Sequence, residues 1–215
     1  MSFLTIVLSQ QVLDVYSSQA WSKVFITNRP FHVNNMEGNQ FINADWQLAD
    51  IICSDNNGKI EGYPVRLDAR ANLIEINDNG VIKVLHATNT YSVAFKVTNE
   101  VFITNKTLGI AEPVGFYKVL YSEKSSLLCH YSTKIIEGAY NPVLDAGIKE
   151  DKMLVEKIYY LFKDGELTKL ENKRRKLIKQ FIDQPEISEY IKLNRIIPTN
   201  ETDLIKLITY MDSKS

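Results

Sequence analysis

The 215-residue chain reads as an α+β protein: a mostly antiparallel curved sheet or partly open β-barrel, followed by three short C-terminal helices. Three observations predict this. Up to about Leu170 the apolar residues alternate, as they do in half-buried strands. The runs are separated by Asn/Asp-Gly pairs, which supply the positive φ of tight hairpin turns. Beyond Leu170 the apolar residues recur at helical spacing. The chain therefore divides into an N-terminal segment, 1–40, a β-rich body, 41–170, and a helical layer, 171–215, docked on the body.

Val24-Phe25-Ile26 suits a short strand, and Asn28-Arg29-Pro30, Asn34-Asn35 and Gly38-Asn39 are turn material. Asp50 to Ser54 is a strand closed by Asp55-Asn56-Asn57-Gly58. Tyr63 to Leu67 follows, with Pro64 at its beginning or at a sheet edge. Leu73 to Ile76 turns through Asn77-Asp78-Asn79-Gly80 into Val81 to Leu85, so a meander is expected. Tyr91 to Val97 alternates most clearly, with Tyr91, Val93, Phe95 and Val97 on one face. Val101 to Thr104, Phe116 to Tyr121 and Leu127 to Lys134 are further strands. Gly138 to Lys152 reads as a loop. Lys157 to Lys163 and Glu166 to Leu170 flank Asp164-Gly165, a two-residue hairpin turn.

In the tail, Leu177, Ile178, Phe181 and Ile182 share a helical face. Pro185 suits the first turn of a second helix carrying Ile187, Tyr190 and Ile191. Asn200, with Asp203 three residues on, resembles the start of a capping box. Leu204, Ile205, Leu207, Ile208 and Met211 then form the stripe of a third helix. Helices this short are marginal alone, so the layer must dock on the sheet.

With 25 basic and 26 acidic residues the net charge is −1, which gives no electrostatic case for nucleic acid or an anionic membrane as partner. Two cysteines, Cys53 and Cys129, exclude a disulfide-dense scaffold and a Cys-rich zinc site. They could pair in an oxidising compartment or stand as two buried thiols. No cofactor or metal site is implied, and no apolar run is long enough for a transmembrane helix. Phe3 to Leu8 is apolar, but no Lys or Arg occurs before Lys23. Val7-Leu8-Ser9 followed by Gln10 is compatible with signal peptidase cleavage. The stretch reads either as the end of a longer leader or as an ordinary first strand.

Several segments, in order, resemble a family of uncharacterised exported bacterial proteins with a β-rich body and a helical tail. They are Gly38 to Trp46, Gly58 to Leu67, Gly115 to Tyr121 with Ser126-Leu127-Leu128, Tyr159-Tyr160-Leu161 with Asp164-Gly165, and Glu201 to Tyr210. The similarity spans about residues 38 to 213. It implies export, to the periplasm or cell surface, and carries over no catalytic residue. The cytoplasm is the alternative compartment.

Candidate sites are sparse. His32, His86 and His130 lack metal-ligand spacing, and Cys129 and His130 are strand neighbours facing opposite ways. Arg66, Asp68 and Arg70 share a side if their strand continues, as an anion site or a solvated ion pair. Lys173-Arg174-Arg175-Lys176 is either a phosphate contact or the wet face of a helix. Tyr159 and Tyr160 face opposite ways, so one should be exposed. The leading expectation is a non-enzymatic binding or cell-envelope interaction module, its partner an envelope protein or surface polymer. The alternatives are an enzyme drawing on Asp45, Arg66, Asp68 and His86, or a cytoplasmic nucleic-acid-contacting protein using residues 173–176.

Overall fold

A computed structural model describes residues 25–26, 38, 40–53, 58–141, 145–147 and 151–214. The expected leader, His32, the turns at 28–35 and most of the 55–58 turn lie outside the described residues. The strands are β1 Phe25–Ile26, β2 Gln47–Cys53, β3 Lys59–Asp68, β4 Leu73–Asp78, β5 Val81–Leu85, β6 Thr90–Phe95 and β7 Val101–Thr104. After them come β8 Phe116–Ser122, β9 Ser126–Ile136, β10 Tyr140–Asn141, β11 Ala146–Gly147, β12 Lys152–Lys163 and β13 Glu166–Lys169. The helices are α1 Asn105–Leu108, α2 Arg174–Gln180, α3 Pro185–Leu193 and α4 Glu201–Lys214.

Eleven strands form one antiparallel sheet in the order β1-β5-β4-β3-β2-β6-β7-β8-β9-β12-β13. Two meanders therefore meet back to back at β2 and β6. The turns between β4 and β5 and between β12 and β13 have positive φ at both central residues, Asn79-Gly80 and Asp164-Gly165, as their sequence demands. The sheet is open, because β1 and β13 lie at opposite edges. It is nevertheless strongly curled. Asn72, in the turn after β3, donates from Nδ2 to the Tyr131 carbonyl on β9 at 3.2 Å. In a flat sheet β3 and β8 alone would stand about 19 Å apart, four strand spacings.

The inner face carries Ala49, Ile51, Val65, Leu67, Ile76, Val93, Phe95, Phe102, Cys129 and Tyr159 in one buried cluster. Leu177, Ile187, Ile191, Leu204, Leu207, Ile208 and Met211 from the helices join the same cluster. α4 packs on α3, β8 and β9, so the helical layer is docked. Cys53 and Cys129 are both buried and not bonded to each other.

Four expectations need correction. Val97 is 78% exposed rather than on the core face. The ladder of β6 closes where Phe95 N donates to Glu100 O, and the chain reverses through Asn99 at φ 56°. Ile182 is also exposed, because α2 ends at Gln180. The 138–152 segment carries the two-residue pairing of β10 with β11. The capping box is half made: Asp203 N donates to Asn200 Oδ1 at 3.0 Å, but Asp203 Oδ2 accepts from Ile197 N at 3.0 Å. The turn of helix α1, capped by the Thr104 hydroxyl and closed by Gly109 at φ 70°, was not anticipated in the sequence.

Candidate functional site

Arg66 stands on the face of β3 opposite the core, directly across from Glu75 on β4. Its Nε and Nη2 both donate to Glu75 Oε2, at 2.8 and 2.7 Å. A short strap, residues 40–46, closes over it. The guanidinium lies 3.7 Å from the Phe41 ring centroid and 4.3 Å from that of Trp46. Flat, weakly hydrated guanidinium suits such a sandwich better than an ammonium would. The strap is tied down by Ile42 N to Leu67 O, by Ala69 N to Gln40 O, and by Gln40 Nε2 to Asp68 Oδ2.

Asp68 ends β3 and organises the turn that follows. Its Oδ1 accepts from the backbone N–H of Arg70 at 2.8 Å and of Ala71 at 3.1 Å. Burial pushes its carboxyl above the usual carboxylate range, against the pull of those two donors. Because the strand stops there, Arg70 sits on the exposed turn and does not align with Arg66. The trio is therefore neither an anion site nor a solvated ion pair. Arg66 is committed to Glu75 and two rings, and Asp68 to the turn and the strap.

Beneath the strap lies a cavity of about 10 Å³, room for one water, lined in part by Asp45, Gln47, Arg66, Phe95, Glu100 and Phe102. Asp45 and Arg66 thus meet at one small cavity, and Asp68 and His86 are not in its lining. Small-molecule sites usually need several hundred Å³. A wider, solvent-open notch of about 390 Å³ lies between Gly62-Tyr63-Pro64 and Asn77 to Gly80. It exists because the β3–β4 ladder stops at the Val65–Ile76 pair. Gly62, at φ 68°, and Pro64, which has no N–H, do not extend it. Lys83 and Asn79 both donate to Asp78 there, and Asn77 Oδ1 accepts from Gly80 N.

The second polar centre joins the two meanders. Asn72 has φ 48°, and its Oδ1 accepts from Phe116 N at 2.6 Å. That bond fixes the amide orientation, so Nδ2 donates to His130 Nδ1 at 3.2 Å as well as to Tyr131 O. Gly115 makes room, since a Cβ there would stand 2.7 Å from Asn72 Oδ1. His130 must accept at Nδ1 and so is neutral. Burial holds its pKa below the ordinary value, partly offset by the Phe116 backbone. Its ring packs with Tyr117 and Tyr160, at 5.3 and 6.5 Å between centroids. Tyr160 is therefore half-buried and Tyr159 buried, so neither is the exposed aromatic expected. Cys129 faces the core, and burial pushes its thiol up to about 12, leaving it protonated and unreactive.

The basic run starts α2. Arg174 Nη2 donates to the carbonyls of Lys192 and Ile191, closing the end of α3, and Lys176 lies 3.8 Å from Glu171. Only Lys173 and Arg175 of the four point into solvent without such a partner among the described residues.

The remaining feature was not anticipated. β9 and β12 outrun their neighbours. β8 reaches only as far as the Tyr117–His130 pair, and β13 only as far as Lys169–Tyr160. The five pairs from Ser132–Glu156 to Ile136–Lys152 thus project as a two-stranded ribbon. Ile135, Ile136, Leu154 and Val155 on it are each between 37 and 46% exposed. β12 starts at Lys152 rather than at the expected Lys157, and the sequence signal was the Met153-Leu154-Val155 run between the expected loop, Gly138 to Lys152, and the expected strand. No family model matches this chain, and neither a curated protein nor a solved structure does.

Proposed function

We propose that this chain is a non-enzymatic binding module, exported and acting in the cell envelope, with the β9–β12 ribbon as its contact surface. The observation that carries the reading is the ribbon itself. Four large apolar side chains are left partly exposed, Ile136 and Leu154 on one face and Ile135 and Val155 on the other, on a ribbon that has no neighbouring strand on either side among the described residues. Clustered exposed apolar residues are characteristic of interaction sites. The polar groups that could have served chemistry are instead engaged with one another: Arg66 with Glu75, Asp68 with the turn, His130 with Asn72. The resemblance to exported bacterial proteins supports the compartment.

The test uses the full chain in its native host, with a photo-crosslinking residue at Ile136 or Leu154 and a control at exposed Glu166. Discrete adducts in the envelope fraction from the ribbon positions, and none from the control, are expected. Equal labelling from all three positions, or recovery of the protein in the cytoplasmic fraction, would overturn the reading.

A further inference from the structure

The free edge of β9 has a defined backbone polarity. Leu170 N donates to Tyr159 O, so the odd-numbered residues of β12 point their N–H and C=O away from β9. Through the register, the odd-numbered residues of β9 point away from β12, toward β8. Where β8 begins, Asn72 Nδ2 takes the Tyr131 carbonyl and closes the ladder. Past that point no described strand continues it, and the N–H and C=O of Thr133 and Ile135 face outward. The corresponding edge of β12 is different. Gly38 lies against Met153, whose carbonyl oxygen would be 2.4 Å from a Cβ on that glycine.

Exposed edges are normally blunted by proline, bulges or several charges. From Ser132 to Ile136 β9 has no proline, no register shift against β12, and one charge, Lys134. Lys134 is exposed and has no hydrogen-bond or ion-pair partner among the described residues. It sits between the two outward-facing residues, so a strand added to this edge must place a side chain directly opposite it.

We infer that the free β9 edge takes up an extended peptide strand that carries a carboxylate opposite Lys134 and β-branched residues on either side of it. This rests on the binding-module reading and names its partner class. Main-chain bonds to Thr133 and Ile135 supply the affinity, and Lys134 selects the sequence. A second copy of the chain fits less well. Antiparallel β9–β9 pairing through the outward groups opposes odd residues to odd and even to even. Lys134 then meets Ser132, Lys134, Ile136 or Gly138, none of them acidic, and never Glu137.

The experiment titrates the isotope-labelled full chain with the blocked peptide acetyl-Ser-Thr-Val-Glu-Val-Thr-Ser-amide and follows the Thr133 and Ile135 amides by NMR hydrogen exchange. Both should become protected, and a peptide with Lys in place of the central Glu should bind about fivefold more weakly. Lys134→Glu should reverse that preference. Ile135→Pro should abolish binding, because it removes an outward N–H and leaves the β9–β12 ladder intact. Edge amides unchanged up to about 1 mM peptide, or equal affinity for both peptides in wild type and Lys134→Glu, overturn the inference. If crosslinks at Ile136 persist while the edge amides stay unprotected, the edge assignment falls and the binding module stands. If the crosslinks vanish too, both fall. Protection that depends on protein concentration without peptide would assign the edge to a second copy and overturn the peptide.

Discussion

The Arg66 clamp and the β9–β12 ribbon are opposite solutions for residues at the margin of one sheet. At the clamp, Arg66 and Asp68 have both been given partners: Glu75 and two rings for Arg66, backbone donors and Gln40 for Asp68. At the ribbon, the outer edge of β9 has no neighbouring strand among the described residues, and four apolar side chains are left partly exposed. A sequence reader is drawn to the first because it is rich in charge. The difference teaches that a charged cluster whose members satisfy each other is stabilising structure. A polar or apolar group left over is the better pointer to a contact.

If that contrast holds, substitutions at the clamp and in the core should be costly and those on the ribbon cheap. The largest effect is expected for Arg66→Leu. It removes the guanidinium from a nearly buried Glu75 and should cost about 3–5 kcal/mol in urea unfolding. Leu207→Ala, fully buried in α4, should cost about 2–5 kcal/mol, and Lys206→Ala on the exposed side of the same helix almost nothing. Equal silence of both would mean that the tail is not docked as described. Asn72→Ala should cost about 1–3 kcal/mol through the lost bonds to Phe116 and Tyr131.

His130 adds a dependence on pH. Its folded pKa is depressed, so the unfolded chain binds the proton first. Stability should be full above the ordinary histidine range and fall as pH drops through about 6.5 toward the folded value. Asp68 acts in the other direction, since its raised carboxyl favours the folded state as pH falls. The informative quantity is therefore the difference between wild type and His130→Gln in urea midpoints at pH 8 and pH 5.5. The wild type should lose more on acidification. The smallest effects belong to the ribbon: Ile136→Ser and Leu154→Thr should each shift stability by less than about 0.5 kcal/mol. A ribbon substitution as costly as Arg66→Leu would erase the contrast and mark the ribbon as core.

Much of the fold was legible because it depends on near neighbours. Val81 to Leu85 and Val101 to Thr104 match β5 and β7 residue for residue, and Asn79-Gly80 and Asp164-Gly165 form the turns their chemistry dictates. Leu204, Leu207, Ile208 and Met211 of the α4 stripe are buried as its spacing implies, and Ile205 is partly so. Less of the candidate site could be read. The exposure of Val97 depends on where the β6–β7 hairpin closes, which alternation does not reveal. The ribbon exists only because β8 and β13 stop early, a fact about strand lengths in space. Asn72 looks like one more turn asparagine, and nothing local announces that its partners lie on β8 and β9.

The same residue has a consequence in time. Asn72 is separated by 44 residues from Phe116 and by 59 from Tyr131, the groups it binds. At a synthesis rate of about 5–20 residues per second, Asn72 is made about 3–12 seconds before Tyr131. The hairpins from β2 to β5 can form at once, since their pairings are local, but the turn that crowns them has no seat until β8 and β9 have emerged. The half of the sheet that is born first is thus the half that has to wait.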